Sequence, residues 1–207
     1  MAFSDFTLED VARKLGVTTA PARLFPNLQP VPVPQWLLDG FARNTQLSRA
    51  TEQARREFLI APVLSAARAV SGDKLAVYSA PTFNVDASRG LNGECDYLLA
   101  VAPPLLPVRS PLVAVVEAKK ADIDLGRGQC VAEMVAAREF NRDAGEADSP
   151  VYGCVTNGDQ WQWMKLDGSR ALVEPTQQLL VDVGLILAAF LAIVAEYEAV
   201  VARRPVP

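Results

Sequence analysis

Apolar and polar positions change their period several times along the chain, and each change marks a predicted element. The opening FSDFTLEDVARKLGV has helical spacing, with Thr7 placed to cap, Glu9 and Asp10 in the first turn and Gly16 as the stop. Pro26, Pro30, Pro32 and Pro34 make the next stretch an extended connector, followed by a helical segment from about Gln35 to Thr45. Across SRATEQARREFLIAPVLSAARAV, apolar positions from Leu47 through Ala54, Phe58, Ile60, Val63 and Leu64 recur as on a helix. Pro62 can kink or divide that helix, and Gly72 lies beyond its end.

The period then shortens to that of strands. KLAVYSAPTFNV, GECDYLLAVA and LVAVVEAKK, separated by SRGLNG and the proline-rich PPLLPVRSP, predict a three-strand meander. LVAVV is apolar on both faces, as expected of a covered strand. Helical spacing returns from about Leu125 to Phe140, with Cys130, Met134 and Ala137 on one stripe, and the polar NRDAGEADSP follows as a loop. VYGCVTN, Asn157-Gly158 and QWQWMKL read as a strand, a hairpin turn and a strand.

The C-terminal QQLLVDVGLILAAFLAIVAEYEAVVARR is helical. Its uncharged run from Val183 to Ala195 falls short of the roughly 20 apolar residues that span a bilayer. A core-packing helix or a seam for a homodimer or protein partner is expected there, not a membrane segment. The whole predicts one α/β domain: residues 1–47 as an N-terminal helical arm and proline-rich connector, 48–175 as the core, and 176–207 as a C-terminal helix.

Half of the 207 residues are hydrophobic, enough for a substantial core, and the formal net charge of -4 argues against a broad basic surface. The chain has no histidine, which excludes Ser-His-Asp and Cys-His nucleophile systems and histidine-ligated metals. Cys95, Cys130 and Cys154 are scattered, suggesting neither a disulfide framework nor a zinc site. The first residues lack the pattern of a signal peptide, so a cytoplasmic setting is expected. Phosphate-loop and dinucleotide motifs do not occur. Chemistry, if present, rests on carboxylates, lysine and a hard metal.

One constellation has those parts. Residues two apart on a strand share a face, which pairs Glu117 with Lys119 on LVAVVEAKK and Glu94 with Asp96 on GECDYLL. If the two strands are neighbours, Asp96 approaches Glu117. Two such carboxylates are held ionised most readily by a divalent cation, with the lysine balancing charge.

Asp96 followed by Glu117-Ala118-Lys119, on strands after a helix, resembles the PD-(D/E)XK nuclease superfamily. Within it, the chain is most like the nuclease domain that begins the motor subunits of type I restriction enzymes. TEQARREFLIAPVL supplies the leading helix of that group through Glu52, Arg56, Ile60, Pro62 and Leu64, and the resemblance covers residues 51–165. It implies a restriction-endonuclease-like core of helix, three-strand meander, helix and two further strands.

The resemblance further implies hydrolysis of DNA phosphodiester bonds with Mg²⁺ or Mn²⁺, in restriction, defence or DNA processing. Asp96 and Glu117 would hold the metal, aided by the Ala118 carbonyl and by Glu52 directly or through water. Lys119 would position the attacking water, and Gln129 would contact the substrate or nucleophile. The chain departs from the pattern at Glu133, where members with the glutamine motif often carry tyrosine, and it lacks the downstream motor. A catalytically inactive interaction or regulatory module is the alternative.

Other residues admit plainer roles. Glu52 and Arg56 are spaced for a surface pair on one helix, with Glu57 a rival to Glu52. Asp86 suits a turn, and Asp122 and Asp124 suit helix capping. Trp161 and Trp163 share a strand face and serve either base stacking or packing. Arg43, Arg49, Arg55, Arg56, Arg68 and Lys74 offer a modest phosphate-binding surface or a solvated face.

Overall fold

The computed structural model describes residues 1–102 and 107–204 and shows an α/β protein built on a mixed sheet. One of its inner strands is β6 (Leu112–Ala118), in which all seven residues are buried. An uninterrupted apolar run can occupy only such a place, because both its faces leave water. On one side β6 pairs antiparallel with β5 (Tyr97–Val101), which pairs with β2 (Leu75–Ser79). On the other it pairs parallel with β7 (Tyr152–Thr156). That parallel step requires a crossover, supplied by helix α5 (Arg127–Asp143).

Asn157-Gly158 turns the chain into β8 (Gln160–Asp167), antiparallel to β7, as the sequence predicts. Beyond it lie β9 (Arg170–Val173) and β1 (Thr18–Pro21), while β10 (Gln178–Leu179) pairs with the start of β8. The expectation of two further strands is therefore corrected to β7 through β10. Residues 1–47 are likewise more than an arm. β1 runs parallel to β9 at the sheet edge, and Phe3, Phe6, Val11 and Val17 are buried in the core beside α5.

The expected meander survives as the neighbours β2, β5 and β6, but with an insertion. KLAVYSAPTFNV breaks at Ala80, whose φ of 50° lies in the left-handed region, so β3 (Thr82–Asp86) leaves the main sheet and pairs with β4 (Leu91–Glu94). Glu94 and Asp96 consequently do not share a strand; Glu94 ends β4 and is exposed. Residues 103–106 of the proline-rich separator, and 205–207 of the predicted C-terminal segment, lie outside the described residues.

Two apolar layers close the sheet. On one face α5 packs with the N-terminal residues and β3–β4. Gly128 permits this crossing: a Cβ there would stand 2.3 Å from the Phe6 carbonyl oxygen. On the other face lie the helix over 52–70 and α6 (Val183–Ala202). The first of these runs continuously from α3 (Glu52–Arg55) through a π-helical turn (Arg56–Ile60) to α4 (Ala61–Val70), so Pro62 does not divide it.

The segment Leu180–Ala202 is long and apolar enough to cross a membrane by length and composition. In this fold Ile186, Leu187, Phe190 and Ile193 are buried, and the Phe190 ring stands edge-on to Trp163 with centroids 5.0 Å apart. Trp161 and Trp163 are both fully buried, so they serve packing and are closed to base stacking.

Candidate active site

The site forms where the apolar body of β6 ends. The β5–β6 register opposes Tyr97 to Val116, which brings Asp96, just before β5, level with Glu117. One Asp96 oxygen accepts the Ala118 backbone N–H at 2.7 Å, and the other meets the Arg56 guanidinium at 2.8 Å. Arg56 therefore does not make the expected helix-surface pair with Glu52. The π-helical turn carries it over the Tyr97 ring, 5.5 Å from the centroid, while the Tyr97 hydroxyl donates to the Arg56 carbonyl.

Glu117 is 1% exposed, and its Oε1 accepts from the Lys119 ammonium at 2.5 Å. The two side chains meet as their shared strand face predicts. The same ammonium donates to Gln129 Oε1 at 3.2 Å. Gln129 Nε2 in turn donates to Glu133 Oε1 at 3.0 Å, one turn further along α5. Glu133 is entirely buried. Among the described residues, Glu117 Oε2 and Glu133 Oε2 are buried without a hydrogen-bond partner.

These burials set the protonation of the site. Burial, with the nearby Asp96 charge, pushes the Glu117 carboxyl up to about 8 despite Lys119. Burial opposes the charge of Lys119, but the Glu117 carboxylate and its hydrogen bond outweigh that, and the ammonium is held above its ordinary value. Burial, reinforced by Glu117, holds Glu133 well above the carboxylate range. Lys119 is thus a cation in this setting and not a proton acceptor.

Gly126, just before α5, makes room for the lysine. A Cβ there would stand 3.0 Å from Lys119 Cε and 2.7 Å from Val155 Cγ1. The glycines of DLGRG thereby serve close packing: one beside Lys119, the other under the N-terminal segment.

Glu52 opens α3, and its charge acts on both Glu117 and Lys119. Glu117, Lys119 and Gln129 are therefore joined by side-chain contacts, while Asp96 is tied to the adjacent Ala118 backbone and to Arg56, and Glu52 reaches the pair through its charge. The other acids have local partners. Glu57 accepts from Gln53, Asp86 and Asp122 cap short helical turns, and Asp124 pairs with Arg127. The basic region is largely neutralised: Arg49 and Arg55 meet Asp159, Arg68 meets Asp73, and Lys74 meets Glu198.

Carboxylate oxygens such as those of Asp96 and Glu117 are the hard donors that suit Mg²⁺, and the unpartnered Glu117 Oε2 is a buried lone pair that an ion would satisfy. Among the described residues no three acidic or thiol groups gather closely enough to cage a metal. An ion at Asp96 and Glu117 would therefore complete its shell with water or substrate oxygen, as Mg²⁺ commonly does. The three cysteines are buried and unbridged, away from this role.

Arg56 enters the sequence reading as a position of the leading-helix motif and Glu133 as a departure from the glutamine motif, neither with the partner it has here. Glu133 marks itself only as an acid one turn after Gln129 on an otherwise apolar stripe. Arg56 reaches Asp96 by a tertiary contact that no local spacing encodes. No protein-family model matches the chain, and no curated protein matches it significantly.

Proposed function

We propose that the chain is a Mg²⁺-dependent nuclease of restriction-endonuclease-like fold that hydrolyses phosphodiester bonds of DNA, in restriction, defence or DNA processing. The observation that carries this reading is the Glu117–Lys119 contact at the end of β6, with Asp96 bonded to the Ala118 backbone between them and one Glu117 oxygen buried and unpartnered. A carboxylate as buried as Glu117, with a second acid beside it, is seldom kept without a cation or a task.

Asp96 and Glu117 are the residues that would hold Mg²⁺ or Mn²⁺, with Glu52, whose charge acts on Glu117, as the acid that would assist through water. The bound ion supplies polarisation of the phosphoryl oxygens and an acidified water. Lys119 has three ammonium donors, of which Glu117 and Gln129 take two. The third is left for water or a phosphate oxygen, where a fixed cation offsets the negative charge that grows during attack.

The test is incubation of the protein with DNA and Mg²⁺ or Mn²⁺ beside Lys119→Ala. The variant is expected to lose about 10²–10³-fold in cleavage rate. Equal cleavage by both proteins points to a contaminant, and no cleavage with either metal overturns the proposal.

A second reading, a non-catalytic module, draws on the Arg56–Asp96 contact, since both Asp96 oxygens already have protein partners. It requires that neither metal raise the unfolding temperature of the intact protein.

A further inference from the structure

We infer that Glu133 is a positioning residue: it orients the Gln129 carboxamide and, through it, fixes the Lys119 ammonium beside Glu117. This rests on the nuclease reading of the same site. A glutamine side chain has an acceptor end and a donor end of nearly equal shape, so it fits its surroundings in two orientations. An ammonium offers donors only. Gln129 therefore serves Lys119 in one orientation alone, with Oε1 toward the ammonium at 3.2 Å.

That orientation turns Nε2 toward α5, where an acceptor is required. Glu133 Oε1 provides it at 3.0 Å, one helical turn away. Reversing the amide would set its N–H groups against the ammonium, which has no acceptor to offer them. Burial favours the neutral form of Glu133, which still accepts through its carbonyl oxygen.

The surroundings argue against a packing role. Val131, Met134, Ala136 and Ala137 on the same helix are buried and apolar. A side chain such as methionine would fill comparable space without burying an unpartnered oxygen, which the fold retains at Glu133 Oε2. The carboxyl thus opposes stability, and its use lies in the contact it makes.

Two variants of the full chain test this: Glu133→Met removes the acceptor, and Glu133→Gln keeps one. The primary readout is solvent exchange of the Gln129 side-chain amide protons, followed by ¹⁵N-resolved nuclear magnetic resonance. Unfolding midpoint, kcat and KM for DNA cleavage accompany it. Glu133→Met is expected to speed the exchange about tenfold and to lower kcat about tenfold with KM unchanged, while its unfolding midpoint holds or rises. Glu133→Gln is expected to restore exchange and kcat toward the parent.

Unchanged Gln129 exchange in Glu133→Met overturns the proposal, as does a fall in stability with exchange and kcat unaltered. If the parent protein cleaves no DNA, the nuclease reading fails by itself, and amide exchange still decides the role of Glu133.

Discussion

The two ends of β6 are each met by an amide side chain from α5, yet they are finished in opposite ways. At the start of the strand, Asn141 accepts from the Leu112 N–H and donates to the Leu112 carbonyl, both at 2.7 Å. Every polar atom of that contact serves the strand, and Asn141 is 1% exposed. At the other end Gln129 holds Lys119, and the two acids flanking the chain of contacts each keep an unpartnered oxygen. The first arrangement closes its valences and needs nothing more. The second keeps lone pairs open, stabilising the fold less and leaving capacity for a ligand.

The largest way to sharpen that contrast is pH. Glu117 has an ordinary carboxyl value of 4.5 when unfolded and about 8 when folded. Between those values the folded state holds a proton that the unfolded state has lost, so the metal-free protein loses stability as pH rises through that window. The loss is expected to be on the order of a few kcal/mol. Urea unfolding at successive pH values measures it, and Glu117→Gln should remove its share while the Glu133 contribution of the same sign remains. A wild-type slope equal to that of Glu117→Gln sinks the assignment. The Asn141–Leu112 contact is made of amide and backbone groups alone, so it contributes none of this slope.

Asn141→Ala tests the closed end. It strips two buried backbone groups of their partner and should cost about 2–3 kcal/mol in chemical unfolding, with cleavage per folded molecule unchanged. A comparable loss of cleavage rate would mean that the two ends are coupled through α5. Gly126→Ala has the smallest expected effect. The added methyl must push Lys119 or Val155 aside, lowering stability by about 1 kcal/mol and cleavage about tenfold. Unaltered cleavage would show that Lys119 tolerates displacement.

The comparison also explains what could be read from sequence. Apolar runs announced β5, β6, β7, β8, α5 and α6, because burial on a periodic face leaves its mark in local composition. Glu117 and Lys119 were legible for the same reason, as charges where an apolar strand ends. β1 was not: TTAP is short and mostly exposed, and it becomes a strand only by pairing with β9 far along the chain. Arg56 and Glu133 were illegible as site residues because their meaning depends on which helix faces which strand. The division of KLAVYSAPTFNV depends on one left-handed residue, Ala80, which composition alone does not reveal.

The parallel pairing of residues 18–21 with 170–173 also bears on how the protein is made. A ribosome releases β1 long before β9 exists, and contacts so distant in sequence form late. A nascent chain halted before Arg170 carries an outer strand with no partner and a β8 open along the edge that β9 would cover. Open strand edges recruit one another, so interrupted translation should yield aggregating fragments. Completion of the sheet thereby distinguishes finished molecules from aborted ones.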